Sequence, residues 1–172
     1  MALIPIRTKT ALLCSAIPAA CFFLMCGIYS FSGSTLAPHL KTVAIPLFED
    51  QTAEFGIDQQ LTDAVIGAIN EDNTLKTVDA ADADALLSGL IASISDRAGQ
   101  YNEEEKAEDF RVYITVRVSF EDRHNRQTLW EKSFTDWGQY RPGSGDETRE
   151  AAIEEAVGKL ALSILNETVS GW

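Results

Sequence analysis

Cysteine and histidine are the side chains best suited to nucleophilic or acid–base chemistry, and this sequence has few of them. The three cysteines, Cys14, Cys21 and Cys26, all lie within the first 26 residues, and the two histidines are His39 and His124. A nucleophilic enzyme needs its nucleophile beside a general base, but His39 follows a proline and His124 falls in a predicted turn. We therefore expect no enzyme and interpret both histidines as solvated loop residues.

The acidic residues do not show the spacing of a metal site. Residues 103–105 are three consecutive glutamates, without the alternating ligands and the glycine of a calcium loop. Asp79, Asp82 and Asp84 come closer to that spacing, but no bidentate acid follows them. Glycine-rich phosphate loops, paired-cysteine zinc patterns and nucleophile elbows are also missing from the sequence. We therefore predict neither a metal nor a cofactor.

Cys26 is the strongest candidate for a covalent modification. It ends an apolar run and precedes Gly27, where a bacterial lipoprotein signal places the cysteine that receives a diacylglycerol. Met25 departs from that signal, which favours a small residue, so Cys21 is the alternative acceptor. A third interpretation is that the cysteines serve only as apolar residues of the signal. Lipidation would anchor the protein, because each buried methylene contributes about 0.8 kcal/mol.

The N-terminal segment has the composition of a secretory signal. It contains Arg7 and Lys9, no acidic residue, and an apolar run over 10–25 that Pro18 interrupts. At about fifteen residues, this run is shorter than the roughly 20 residues of a transmembrane helix. We therefore predict a lipoprotein signal peptide over residues 1–25, a lipidated tether over 26–40 and a single domain over 41–172.

The overall composition, 45% hydrophobic and 23% charged, is typical of a globular protein. The 147 residues after the predicted signal are enough to bury roughly 68 to 70% of the unfolded surface without disulfides. The net charge of the whole chain is −12. Removal of Arg7 and Lys9 leaves 12 basic against 26 acidic residues, a balance of −14. Such an acidic domain argues against nonspecific binding to nucleic acid or to anionic lipid surfaces.

The clearest structural pattern lies between residues 109 and 137. Every even-numbered residue from 110 to 120 is apolar, and the odd-numbered neighbours are mostly polar. This period of two predicts a long strand with one buried face. Turn-favouring residues at 122–126 and a second β-rich run at 128–137 predict that the strand continues into an antiparallel hairpin.

The remaining elements give an α+β fold in the order β-α-β-β-β-β-α. We predict an antiparallel sheet of four to five strands with two helices packed on one face. A first strand is predicted over 41–48, and Pro46 should end it or place it at an edge. A helix follows over about 55–71, closed by Asn73, and a second helix follows the break at 141–145. The remaining elements are strands over 75–78 and 84–96 and a polar loop over 97–109.

Two helices on one face of the sheet would leave the opposite face open. Arg111, Tyr113, Arg117 and Trp137 fall on or near that face and form a set that could bind a ligand. The alternative is a solvated face, in which the arginines pair with the abundant carboxylates.

Five segments of the sequence resemble the lipopolysaccharide-assembly lipoprotein family, LptE. They are Cys26-Gly27-Ile28-Tyr29-Ser30-Phe31-Ser32-Gly33, the first strand and turn at 41–52, the later strand at 83–89, Leu129-Trp130-Glu131, and the closing Gly171-Trp172. The resemblance spans nearly the whole chain after the predicted signal. The resemblance therefore indicates where in the cell the protein acts, which the individual residues do not.

The resemblance implies a lipoprotein anchored on the periplasmic side of the outer membrane. Such a protein plugs and helps assemble the β-barrel LptD for transport of lipopolysaccharide to the cell surface. If lipopolysaccharide itself is bound, the candidate residues are Arg111, Arg117 and Lys132, although the acidic charge favours a plug over a lipid carrier. The alternative function is a periplasm-facing lipoprotein scaffold that binds a different envelope or secretion complex.

Overall fold

The computed structural model describes residues 36–99, 109–143, 145 and 148–170, which all belong to one compact unit, Ser34–Trp172. The elements are β1 Thr42–Ala44, β2 Glu49–Asp50, α1 Ile57–Asp72, β3 Lys76–Thr77, β4 Ala85–Ala98, β5 Phe110–Asp122, β6 Gln127–Tyr140 and α2 Arg149–Ser170. The predicted signal peptide, Cys26, most of the predicted tether and most of the predicted loop over 97–109 lie outside the described residues.

Six strands form one mixed sheet with the order β3-β1-β4-β5-β6, and β2 pairs with β4. β4, β5 and β6 are antiparallel, whereas β1 pairs in parallel with β3 and β4, and β2 in parallel with β4. The α+β class is therefore confirmed, but the prediction of a purely antiparallel sheet is wrong. The physical reason is α1, because a helical crossover between β1 and β3 returns the chain in the same direction.

The predicted hairpin is present as β5 and β6. Val112, Ile114, Val116, Val118 and Phe120 are all buried, as the period of two requires. The connecting turn spans residues 123–126, and its last residue has a φ of 53°. β4 continues the antiparallel pairing on the other side of β5 and reaches Ala98, so it extends into the start of the predicted polar loop.

Both helices cover the same face of the sheet, called the inner face here, and the opposite face is the outer face. α2 packs against β5, β6 and α1. Asn73 ends α1 as predicted, with a φ of 60° and its N–H bonded to the Ile69 carbonyl at 3.2 Å. The helix residues in the core are Ile57, Leu61, Val65, Ile69, Ala152, Ile153, Ala156, Val157, Leu160, Ala161 and Ile164.

The predicted first strand is shorter than expected. β1 ends at Ala44, two residues before Pro46, which confirms that the proline lies beyond the pairing. The alternation stops with the strand, so Leu47 is 54% exposed, whereas Phe48 is buried. Phe48 instead packs on Gly89 in β4, where a Cβ atom would overlap its ring.

Gly138 marks the closest approach between α2 and the sheet. It lies in β6 opposite Val112 and faces the helix side. A Cβ atom at this position would overlap the backbone carbonyl of Ala152, in the first turns of α2. Glycine therefore allows the helix backbone to rest directly on the strand.

Candidate functional site

Two arginines face each other across neighbouring strands on the outer face. Arg97 in β4 is directly opposite Arg111 in β5. Opposed like charges destabilise a sheet, and in the part of the chain that the structure describes no carboxylate forms an ion pair with either guanidinium. In addition, Nε of Arg111 is buried without a hydrogen-bond acceptor among these residues. The arrangement therefore concentrates uncompensated positive charge.

Two aromatic rings lie beneath these arginines. The Arg97 guanidinium carbon lies 4.7 Å from the centre of the Tyr113 ring, and that of Arg111 lies 4.3 Å from the Trp137 ring. The two ring centres are 6.4 Å apart. Lys159 reaches Trp137 from α2, with Nζ 4.5 Å from the ring centre, although its charge is shared with Glu155 at 2.8 Å. We call these residues, Arg97, Arg111, Tyr113, Trp137 and Lys159, the cationic–aromatic patch.

The patch has the chemistry of a site for an anionic, partly apolar ligand. Cation–π contacts place each guanidinium group over an aromatic ring. Arginine forms paired hydrogen bonds to phosphate or carboxylate oxygens. The exposed parts of the rings supply apolar surface at the same place.

Of the three predicted ligand-binding residues, Arg117 and Lys132 line one groove of about 310 Å³ with Glu131 and Ser133, whereas Arg111 lies apart from them. Arg111 belongs to the patch, and Arg117 lies on the same face but six residues along β5, about 20 Å away at strand spacing. Arg117 lines a shallow groove of about 250 Å³ with Glu49 and Glu131. Lys132 is opposite Val118 and so lies on the inner side of β6, where it pairs with Glu167 of α2.

The alternative interpretation of the outer face, in which arginines pair with carboxylates, does not describe these arginines. Neither Arg97, Arg111 nor Arg117 forms an ion pair with a carboxylate of residues 36–99, 109–143, 145 or 148–170. Arg149 shows the contrast, because it contacts Glu54 at 2.9 Å and Asp96 at 3.1 Å.

Two residues of the patch were not predicted from the sequence. Arg97 fell in a predicted loop, and Lys159 reaches the face from α2.

The two histidines lie together at the opposite end of the sheet, and each contacts a carboxylate. His39 Nε2 lies 2.7 Å from Asp122, and His124 Nε2 lies 2.9 Å from Asp84. The two imidazole rings meet edge to face at 5.9 Å. The interpretation of both as solvated loop residues is confirmed, since both lie in turns and are exposed, and their contacts also help to close this end of the sheet. Neither lies near the patch.

The two carboxylates of this cluster have lowered pKa values. Burial alone would raise the pKa of Asp122, but hydrogen bonds from the Asn125 backbone, His39 and the Asn125 side chain outweigh it and lower the pKa to about 2. His124, the Lys41 backbone N–H and the Thr42 hydroxyl lower the pKa of Asp84 well below its ordinary value. Both carboxylates are therefore ionised in the folded protein at neutral pH.

The clusters of charged residues do not form a cation site in the described ranges. No group of three histidine, cysteine, aspartate or glutamate side chains there is arranged to hold a metal ion. Asp84 instead accepts hydrogen bonds from the backbone of Lys41 and Thr42, both at 3.0 Å.

Neither described helix, α1 nor α2, combines the length and the apolar character needed to cross a bilayer.

The fold is that of a small α+β domain, and the cationic–aromatic patch is its candidate binding site. The family model described as "LptE: Lipopolysaccharide-assembly" matches residues 40–168. The chain therefore belongs to the LptE family, a non-enzymatic lipopolysaccharide-assembly family. The resemblance seen in the sequence is confirmed by this match.

Solved structures of other proteins have a fold similar to that of this chain. The dodecamer of a PelC variant from Paraburkholderia phytofirmans has a TM-score of 0.53 at 14% identity, with coverage of 80% of this chain and 95% of that chain. Protein XCC0632 from Xanthomonas campestris has a TM-score of 0.55 at 12% identity, with coverage of 79% and 90%. A minor lipoprotein from Acinetobacter baumannii has a TM-score of 0.50 at 14% identity, with coverage of 74% and 91%. No curated protein matches the sequence.

Proposed function

We propose that this protein is a lipid-anchored lipoprotein on the periplasmic side of the outer membrane that plugs and helps assemble an LptD-like barrel. Membership of the lipopolysaccharide-assembly family supports this role. One structural observation supports the binding of an anionic ligand. Arg97 and Arg111 face each other and have no carboxylate partner among the described residues.

The barrel partnership is tested by purification from the outer membrane. The full-length protein, tagged at its C-terminus and extracted in mild detergent, is expected to bring down one large barrel at equal stoichiometry. Mass spectrometry and quantitative staining measure both the identity and the ratio. Recovery of a different envelope or secretion complex, with no barrel, would instead support the scaffold alternative.

We further propose that the outer face contacts the phosphorylated, acylated part of lipopolysaccharide. Phosphate groups would accept hydrogen bonds from the arginines of the patch, and the rings of Tyr113 and Trp137 would contact apolar portions. Arg117 lies far enough away, about 20 Å along β5, to meet a separate group of a large ligand.

Charge reversal of Arg111 and Arg117 together is expected to weaken lipopolysaccharide capture at least tenfold, which corresponds to about 1.4 kcal/mol. The reason is that both free guanidinium groups of β5 become repulsive to phosphate. Photocrosslinking of purified protein to lipopolysaccharide measures the effect. Lys132→Glu tests the third predicted contact separately, since its ammonium pairs with Glu167 on the inner side. Unchanged capture by the Arg111→Glu, Arg117→Glu double variant would remove the proposed lipid contact.

Cys26 is the proposed lipid acceptor. Cys26→Ser is expected to abolish the mass increase of diacylation and to shift the protein from the membrane to the soluble fraction, because the acyl chains supply the anchoring energy. Intact-mass spectrometry and fractionation measure both effects, with Cys21→Ser as the matched control. If Cys21→Ser alone removed the lipid, the acceptor would be Cys21.

A further inference from the structure

Among the described residues, β6 is the last strand of the sheet, and α2 covers part of its outer edge. Lys159 Nζ donates to the Trp137 carbonyl oxygen at 2.9 Å, and the Gln139 N–H donates to Glu155 at 3.2 Å. These two bonds show that the odd-numbered residues of β6 direct their backbone groups away from β5. The register with β5 continues without a shift from Tyr140 back to Trp130.

The same alternation leaves the middle of β6 with an open edge. Because backbone direction alternates in an antiparallel strand, Glu131, Ser133 and Thr135 also direct their N–H and C=O groups away from β5. All three residues are exposed. In the described part of the chain, no hydrogen bond to these outward groups is found. We call residues 131–135, about 17 Å of strand, the open edge.

We propose that the open edge is a strand-addition site for an extended segment of the barrel partner. The segment would pair its backbone with Glu131, Ser133 and Thr135, as in other β-augmentation complexes. A basic side chain of the segment would meet Glu131 on the outer face. The inference rests on the proposed function and specifies where the barrel binds.

A second copy of this chain fits the open edge poorly. Each copy carries a net charge of −12. Two bodies of the same charge repel each other, whereas a segment with basic character is attracted to this acidic protein.

Hydrogen exchange of the wild-type protein tests the pairing directly. Peptides that cover residues 129–136 are compared by mass spectrometry between the free protein and the barrel complex purified in detergent. Amides of Glu131, Ser133 and Thr135 are expected to exchange at least tenfold more slowly in the complex. The Gln139 amide, already bonded to Glu155, is the internal control and should not change. Equal exchange of the three amides in both states would overturn the inference.

Ser133→Pro provides the matching binding test. Proline removes an outward N–H and therefore no bond to β5, as is tolerated on edge strands, whereas Ser133→Ala keeps that N–H. Recovery of the barrel should fall at least tenfold for Ser133→Pro and remain unchanged for Ser133→Ala. If Ser133→Pro fails to fold, the wild-type exchange experiment decides.

The outcomes separate this inference from the proposed function. Barrel recovery that Ser133→Pro leaves unchanged would overturn the strand-addition site and leave the barrel partnership standing. Absence of a barrel with the wild-type protein would overturn both. Concentration-dependent dimerisation that Ser133→Pro abolishes, with barrel recovery intact, would show that the edge pairs with a second copy and would also overturn the inference.

Discussion

Gly138→Val is expected to destabilise the protein by about 3 kcal/mol, the upper part of the range for overpacked sites. A side chain at this position would overlap the backbone of Ala152, which cannot rotate away as a flexible side chain does. α2 would have to move off β6, and the buried residues Ala156 and Leu160 would lose part of their packing. Urea unfolding, monitored by circular dichroism, measures the change in the free energy of unfolding.

Gly158→Ala is the matched control for that substitution. Gly158 lies in the same helix, and an added Cβ atom there would meet nothing within 4 Å. Alanine is the better helix former, so this variant should be more stable by about 1 kcal/mol. Similar effects of the two substitutions would contradict the close approach of α2 to Gly138.

Asp84→Ala is expected to destabilise the protein by about 3 kcal/mol, because hydrogen bonds to a charged group are individually strong and their donors would be left unpaired. The Asp84 carboxylate receives the N–H groups of Lys41 and Thr42 and the Thr42 hydroxyl at 2.8 Å. It also contacts His124 in the hairpin turn. The substitution therefore releases the start of β1 from β4, and urea unfolding again measures the loss.

The effect of Asp84 should depend on pH in a defined direction. Its folded pKa is lowered, so its contribution is complete above the ordinary carboxyl pKa of about 3.9 and is lost as pH falls through the folded value. The stability difference between wild type and Asp84→Ala should therefore narrow below about pH 4. Asp82→Ala is the control, since Asp82 is exposed and only its backbone carbonyl accepts a bond from Thr42. A constant difference down to pH 2 would contradict the role of the ionised carboxylate.

The strong periodicity of apolar residues made strands β4, β5 and β6 and both helices predictable. The alternation from 110 to 120 specified the buried face of β5. The spacing of apolar residues placed α1 to within about two residues and predicted α2 after the break at 141–145. The parallel pairing of β1 was not predictable in the same way. A strand of three residues, Thr42–Ala44, carries too little alternation to reveal its partners, which α1 and the contacts of Asp84 determine.

The candidate site was predictable only where a residue followed the strand period. Arg111 and Arg117 occupy odd positions of β5, and the outer face follows directly from that count. Lys132 was placed in the same set although its even position in β6 indicates the inner side. Arg97 required knowledge that β4 extends to Ala98, and Lys159 reaches the face from a helix, which no local pattern reports.

The central position of β1 determines when this fold can be completed. β1 lies between β3 and β4, so its two ladders require Lys76 and Ala85, more than thirty residues further along the chain. Closing such long loops is entropically costly before the contacts form, whereas β5 and β6 are joined by only four residues. A growing chain must therefore hold its first strand unpaired until the middle of the sequence has emerged.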